Sequence, residues 1–147
     1  MAKDLILQII GDLGVEGGTY RSLEVGGDVI RSLCMEERMS LCNMAIECGG
    51  KNAVIEADEV TLKEIEGKAK GPFQIYQSDE GYQYPFKKEY EGKKLESLVA
   101  KPHSPDNIVP AYKLSNQELT RAYIGSCTGG KLEDFKAAAK ILHGQKV

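Results

Sequence analysis

Tyr123-Ile124-Gly125-Ser126-Cys127-Thr128-Gly129-Gly130-Lys131 leads from a short apolar run through a glycine-rich turn to Leu132, Phe135, Ala139 and Leu142, which are spaced as one face of a helix. The pattern predicts strand, turn and helix in succession, with a single thiol at the helix entrance. Unpaired N–H groups and the positive end of the helix dipole gather at such a place. A thiolate at Cys127 would be stabilised there and could bind a metal, attack an electrophile or steer an anion. A small buried cysteine packed into the turn satisfies the same pattern.

The same punctuation occurs upstream. After Gly49 and Gly50, residues 52–57 read as a short buried strand, Asp58 as the N-cap of a helix over 59–66, and Leu62 and Ile65 as its inward side. Nearer the start, Leu5, Ile6, Ile9, Ile10 and Leu13 fall at helical spacing, so residues 4–13 are expected to form an amphipathic helix ended by Gly14. Residues 20–25 form a candidate strand between glycine turns, and 27–33 a short helix burying Val29, Ile30 and Leu33.

Residues 36–48 carry Met39, Leu41, Cys42, Met44, Ala45, Ile46 and Cys48, which leave almost no polar face and predict a helix buried nearly all round. Asn43 and Glu47 interrupt it, four apart on one side. A buried carboxylate costs roughly several kcal/mol unless paired. The pair is therefore an exposed helix edge, a buried salt bridge or an active-site amide and carboxylate.

Downstream, Gly71-Pro72 closes a segment, 73–76 and 88–90 read as strands, 77–84 as a polar and aromatic surface loop, 98–100 as a further strand, and 102–107 as a rigid turn-rich stretch. His103 in that stretch reads as a surface polar residue or a catalytic one. The expected architecture is α/β, in two sub-regions that meet near residues 77–86.

The chain has 147 residues, 41% hydrophobic and 28% charged, enough for one medium domain or two small ones. A net charge of -3 gives no reason to expect nucleic acid or an anionic membrane as partner. The apolar run over 5–10 is too short for a membrane span or a secretory signal, so a cytoplasmic location is expected. Cys34, Cys42 and Cys48 lie in helical patterns and read as reduced core thiols. No CxxC, calcium loop or phosphate-binding loop occurs, and neither histidine stands at zinc-ligand spacing from a cysteine.

Six blocks in order resemble the aconitase family of dehydratases, and within it the isopropylmalate isomerase and homoaconitase large subunits. They are Ala2-Lys3-Asp4-Leu5-Ile6-Leu7; Gly17-Gly18-Thr19-Tyr20 with Glu24; Met39-Ser40-Leu41-Cys42-Asn43-Met44-Ala45-Ile46-Glu47-Cys48-Gly49; Ile55-Glu56-Ala57-Asp58-Glu59; Pro102-His103-Ser104-Pro105-Asp106-Asn107; and the Cys127 stretch. The resemblance covers essentially the whole chain. It implies an aconitase-like layered α/β/α fold, with residues 1–76 in a middle α/β domain, 77–86 a linker, and 87–147 the start of the following cluster-binding domain.

The resemblance also implies a hydro-lyase that isomerises a small hydroxy acid by dehydration and rehydration, working with a small subunit. Isopropylmalate, homocitrate or homoaconitate, and dimethylmalate remain open as substrates. Cys127 would be one of three ligands to a [4Fe–4S] cluster, with Asn43 beside its sulfurs and Glu47 against the substrate hydroxyl or water at the open iron. Three departures stand out. Gly129 replaces the usual Asn, the CxxC with the other two cluster cysteines is missing, and so is the Asp-Ser-His block of the active site. The expectation is an internal slice of the large subunit that lacks the cluster and activity by itself and self-associates through uncovered apolar faces. The alternative is a non-catalytic interaction or assembly module retaining the fold. A cysteine hydrolase built on Cys127 lacks a recognisable base, since neither His103 nor His143 sits in a partner motif.

Overall fold

The computed structural model describes residues 2–146. In chain order it contains α1 (Ala2–Leu13), β1 (Ser22–Glu24), α2 (Asp28–Ser32), α3 (Met35–Met44), β2 (Asn52–Val54), α4 (Glu59–Ile65), β3 (Leu98–Ala100), β4 (Ile108–Pro110) and α5 (Leu132–Leu142). The fold class is mixed α/β, as expected from the sequence. No helix among the described residues is long and apolar enough to cross a membrane.

Helix α1 is the hub, because its apolar residues are too many for one stripe. Ile6 and Ile10 are wholly excluded from water, and Leu5, Leu7 and Ile9 are buried beside them. Helix α3 and the 3₁₀ turn after it contact α1, and so do β3 and β4. The approach of β4 depends on Gly11, since a Cβ there would lie 2.3 Å from Ile108 Cδ1. Past the helix, Gly14 adopts a left-handed φ of 73° and returns its N–H to the Ile10 carbonyl at 2.8 Å, so the predicted stop holds.

Two small sheets flank this hub. Strands β1 and β2 run parallel, with Ser22 opposite Asn52 and Glu24 opposite Val54, while β3 and β4 run antiparallel, with Leu98 opposite Pro110 and Ala100 opposite Ile108. Asp58 caps α4 as its sequence position predicts, accepting from the N–H groups of Val60 and Thr61 at 3.0 and 3.2 Å.

Residues 36–48 correct the sequence reading. The helix stops at Met44 and tightens into a 3₁₀ turn over Ala45–Cys48, which Gly49 ends at a φ of 82°. One side is buried, through Arg38, Ser40, Leu41, Met44, Ala45 and Cys48. Met39, Asn43, Ile46 and Glu47 face outward. The element packs on α1, β2 and α4 and leaves the side carrying Met39, Ile46 and Glu47 outward, so an apolar composition did not mean burial all round. Cys34 likewise sits at the exposed N-cap of α3 rather than in a core helix.

Val29, Val54 and Leu62, expected inside, are exposed. Residues 73–76 and 88–90 form no strand, because no neighbouring backbone pairs with them, whereas 108–110, unmarked in the sequence, becomes β4 through β3.

Candidate active site around Cys127

Asn43 projects from the last turn of α3, and its Nδ2 donates to the backbone carbonyl of Cys127 at 3.2 Å across 84 positions of sequence. That bond brings together two of the three predicted site residues. Cys127 lies in a tight turn in which Ser126 takes a φ of 69°, and the Ser126 and Thr128 hydroxyls stand 3.3 Å apart. The thiol is exposed.

The thiol does not sit at the helix entrance. Helix α5 begins at Leu132 with Lys131 as its N-cap, four residues after Cys127, and residues 123–124 are not a strand. The positive end of α5 is occupied by carboxylates instead: Asp134 Oδ2 accepts from the Lys131 N–H at 3.0 Å, and Glu36 Oε2 accepts from the Glu133 N–H at 3.2 Å. A helix dipole acts within its first turn, so Cys127 is beyond its reach. The acid three residues after Lys131 was the sequence signal for this cap. Nothing in the sequence marked Glu36, which arrives from α3.

Glu47 lies in the 3₁₀ turn on the outward side, exposed, with no hydrogen bond or ion pair to any described residue. The penalty expected for a buried carboxylate therefore does not arise. The structure leaves Glu47 as a free carboxylate one helical turn beyond Asn43. His103 is exposed in the turn before β4, without a hydrogen bond or ion pair to a described residue, and nothing places it near Cys127.

The other thiols are scattered. Cys48 is buried and its Sγ donates to the Ala45 carbonyl at 3.1 Å; Cys42 is half-buried, and burial pushes its thiol pKa up; Cys34 is exposed. Among the described residues no group of three or more His, Cys, Asp or Glu side chains is arranged to hold a metal ion. A cubane cluster needs three thiolates facing one point, and the residues of this chain offer one, Cys127, so by themselves they do not fit that group.

The structure thus clasps an amide and a cysteine-bearing glycine turn together at the outer edge of an α/β core. The chain belongs to the aconitase family (aconitate hydratase), which it matches over residues 1–147. It is 52% identical over 148 residues to the chloroplastic 3-isopropylmalate dehydratase large subunit of Arabidopsis thaliana, covering 99% of this chain and 29% of that protein. It is 47% identical to the 3-isopropylmalate dehydratase large subunit of Heliobacterium modesticaldum and to large subunit 1 of Pyrococcus furiosus, in each case over 99% of this chain and 34% and 35% of the relative. The chain thus spans about a third of the length of the curated relatives it matches.

Proposed function

We propose that this chain is a portion of the large subunit of a hydro-lyase of the 3-isopropylmalate dehydratase type, isomerising a small hydroxy acid by dehydration and rehydration, and that it is not catalytically competent by itself. The observation that carries the reading is the Asn43 to Cys127 hydrogen bond. It joins the Asn-Met-Xaa-Xaa-Glu element to the Gly-Ser-Cys-Thr turn, the two blocks on which the resemblance places the site residues. The large-subunit relatives support the same reading.

In this proposal Cys127 supplies one thiolate of a [4Fe–4S] site whose remaining ligands belong to other parts of the whole protein. Such a cluster, when bound in the whole protein, would supply Lewis-acid chemistry. Asn43 orients the turn by holding the Cys127 carbonyl. Glu47 is suited to holding or moving a proton at a hydroxyl, because its carboxylate is accessible and not committed to a cation. The partner is a small subunit and the substrate a small hydroxy acid. The division at residues 77–86 into a middle and a following domain belongs to the same proposal.

Cys127→Ala in the whole protein tests it. Iron and sulfide content should fall and turnover should vanish, with the fold intact. A folded, fully cluster-loaded and active Cys127→Ala protein would overturn the assignment. The 147-residue chain alone, reconstituted anaerobically with iron and sulfide, should give little stable four-iron chromophore.

A further inference from the structure

No residue of α5 is buried, so solvent exclusion does not fix where that helix sits. Its first turn is held instead by a side chain from another element. Glu36, half-buried in the first turn of α3, places Oε2 3.2 Å from the Glu133 N–H, one of the donors that a helix start leaves without an internal partner. Seven residues on along α3, about two turns and so on the same face, Asn43 donates to the Cys127 carbonyl at 3.2 Å. One face of one helix therefore grips both ends of the run from Cys127 to Glu133. Between those ends the chain carries Gly129 and Gly130, and its six steps could reach about 20 Å if extended, against the roughly 10 Å that two turns of α3 rise. The run is slack. The bonds within the Cys127 turn are long, 3.3 Å between the Ser126 and Thr128 hydroxyls and 3.5 Å from the Thr128 N–H to Ser126 Oγ. Glu37 is committed elsewhere, because its carboxylate accepts from the Ala2 N–H of α1 at 3.3 Å.

We propose that Glu36 is a positioning residue for Cys127: by accepting from the Glu133 N–H it fixes the start of α5 on α3, which takes up the slack in the glycine run and holds the Cys127 carbonyl within reach of Asn43. The thiol then has one place relative to α3 rather than many. A carboxylate suits the task, since a negative charge is favoured at the positive end of α5. The inference concerns where Cys127 stands and not what it binds, so it stands or falls separately from the proposed function.

Nitrogen-15 NMR of the 147-residue chain tests it, following the Asn43 side-chain amide signal and the exchange of the Lys131 and Phe135 N–H groups, which are bonded within the first turn of α5 to Asp134 and to the Lys131 carbonyl. Glu36→Ala should shift the Asn43 signal and speed exchange at both positions about tenfold, as expected for loss of one charge-assisted hydrogen bond at a half-buried site, with the α1 amides unchanged. Two further variants separate bond from charge. Glu36→Gln keeps the reach and an acceptor oxygen and should stay near the parent chain, whereas Glu36→Asp keeps the charge, falls one methylene short and should behave like Glu36→Ala. Adding Asn43→Ala to Glu36→Ala should speed exchange by less than the product of the single effects, because both bonds hold the same run. The proposal is overturned by a folded Glu36→Ala chain with unchanged Asn43 signal and exchange, or by single effects that simply multiply. The reverse order of Glu36→Gln and Glu36→Asp would overturn it as well, since charge at the helix end would then be all that matters. Should Glu36→Ala fail to fold, Glu36→Gln and Glu36→Asp decide.

Discussion

Arg38 and Asp58 meet in a two-pronged pair, Nη1 to Oδ1 at 2.7 Å and Nη2 to Oδ2 at 2.8 Å, and the same carboxylate caps α4. Arg38 is only 2% exposed and also donates to the carbonyls of Leu33 and Arg31 at 3.1 and 3.0 Å. The Arg38 and Asp58 pair thus ties together α3, the end of α2 and α4, and the carboxylate is the reason a guanidinium can be buried at all.

The hydrogen bonds from Arg38 chiefly, helped by the Thr61 and Val60 N–H groups, lower the Asp58 carboxyl from an ordinary 3.8 to about 2. A folded pKa below the unfolded one gives stability that is present above about pH 4 and is lost as pH falls through about 2. Urea unfolding across that window should show a fall that Asp58→Asn flattens. At neutral pH Asp58→Ala, which loses both cap and ion pair, should be less stable than Asp58→Asn, which keeps a capping oxygen.

In the core, Ile10→Ala should cost about 2–5 kcal/mol, because Ile10 is fully enclosed. Ile141→Ala, on the uncovered side of α5, should change stability by no more than about 0.5 kcal/mol. Gly11→Ala sets two effects against each other. Helix propensity favours alanine by about 1 kcal/mol, whereas a Cβ 2.3 Å from Ile108 Cδ1 and 2.6 Å from its Cγ1 overpacks the β4 contact by about 1–3 kcal/mol. Net destabilisation is expected, and denaturant titration of the three variants measures it.

Under the proposed function, Glu47→Gln belongs in the whole protein with the proposed small subunit present. An acid–base carboxylate should cost roughly two to four orders of magnitude in turnover when neutralised, with cluster content and melting temperature little changed. Retained turnover in a folded, cluster-loaded variant would remove Glu47 from the site. Because Glu47 forms no ion pair with a described residue, a loss of stability is not expected in either case.

Leu132, Phe135, Ile141 and Leu142 leave much of α5 apolar and exposed. The isolated chain should therefore self-associate, scattering light as more than a 16.1 kDa monomer at high concentration. Phe135→Gln combined with Leu142→Gln should move it toward the monomer. A wild-type chain that stays monomeric at high concentration would count against this.

Tyr84 and Ser78 both donate to the Glu24 carboxylate, the former at 2.6 Å, and the Ser78 N–H donates to Glu56 at 2.9 Å. These exposed bonds fasten the loop over residues 77–84 to the ends of β1 and β2. Glu24→Ala should raise amide exchange within that loop and leave α1 protected, as hydrogen exchange would record.

What could be read from the sequence was local or depended on residue identity. The spacing of Leu5, Ile6, Ile9 and Ile10, the stop at Gly14 and the cap at Asp58 are set by backbone and side-chain chemistry within a few residues, and each stands as expected. The order of the six motif blocks carried the family, because chemistry selects residue types directly. Burial and pairing were decided elsewhere. Met39 and Ile46 face solvent because, among the described residues, no element covers that side of α3 and its 3₁₀ extension, while residues 108–110 became a strand only because 98–100 lies beside them. Cys127 lies outside the reach of the helix dipole, whose end Glu36 and Asp134 occupy, and acquired Asn43 as a partner instead. Helix spacing and caps act over one turn of chain, whereas solvent exclusion and strand pairing depend on which distant segment arrives, and only the tertiary structure decides that.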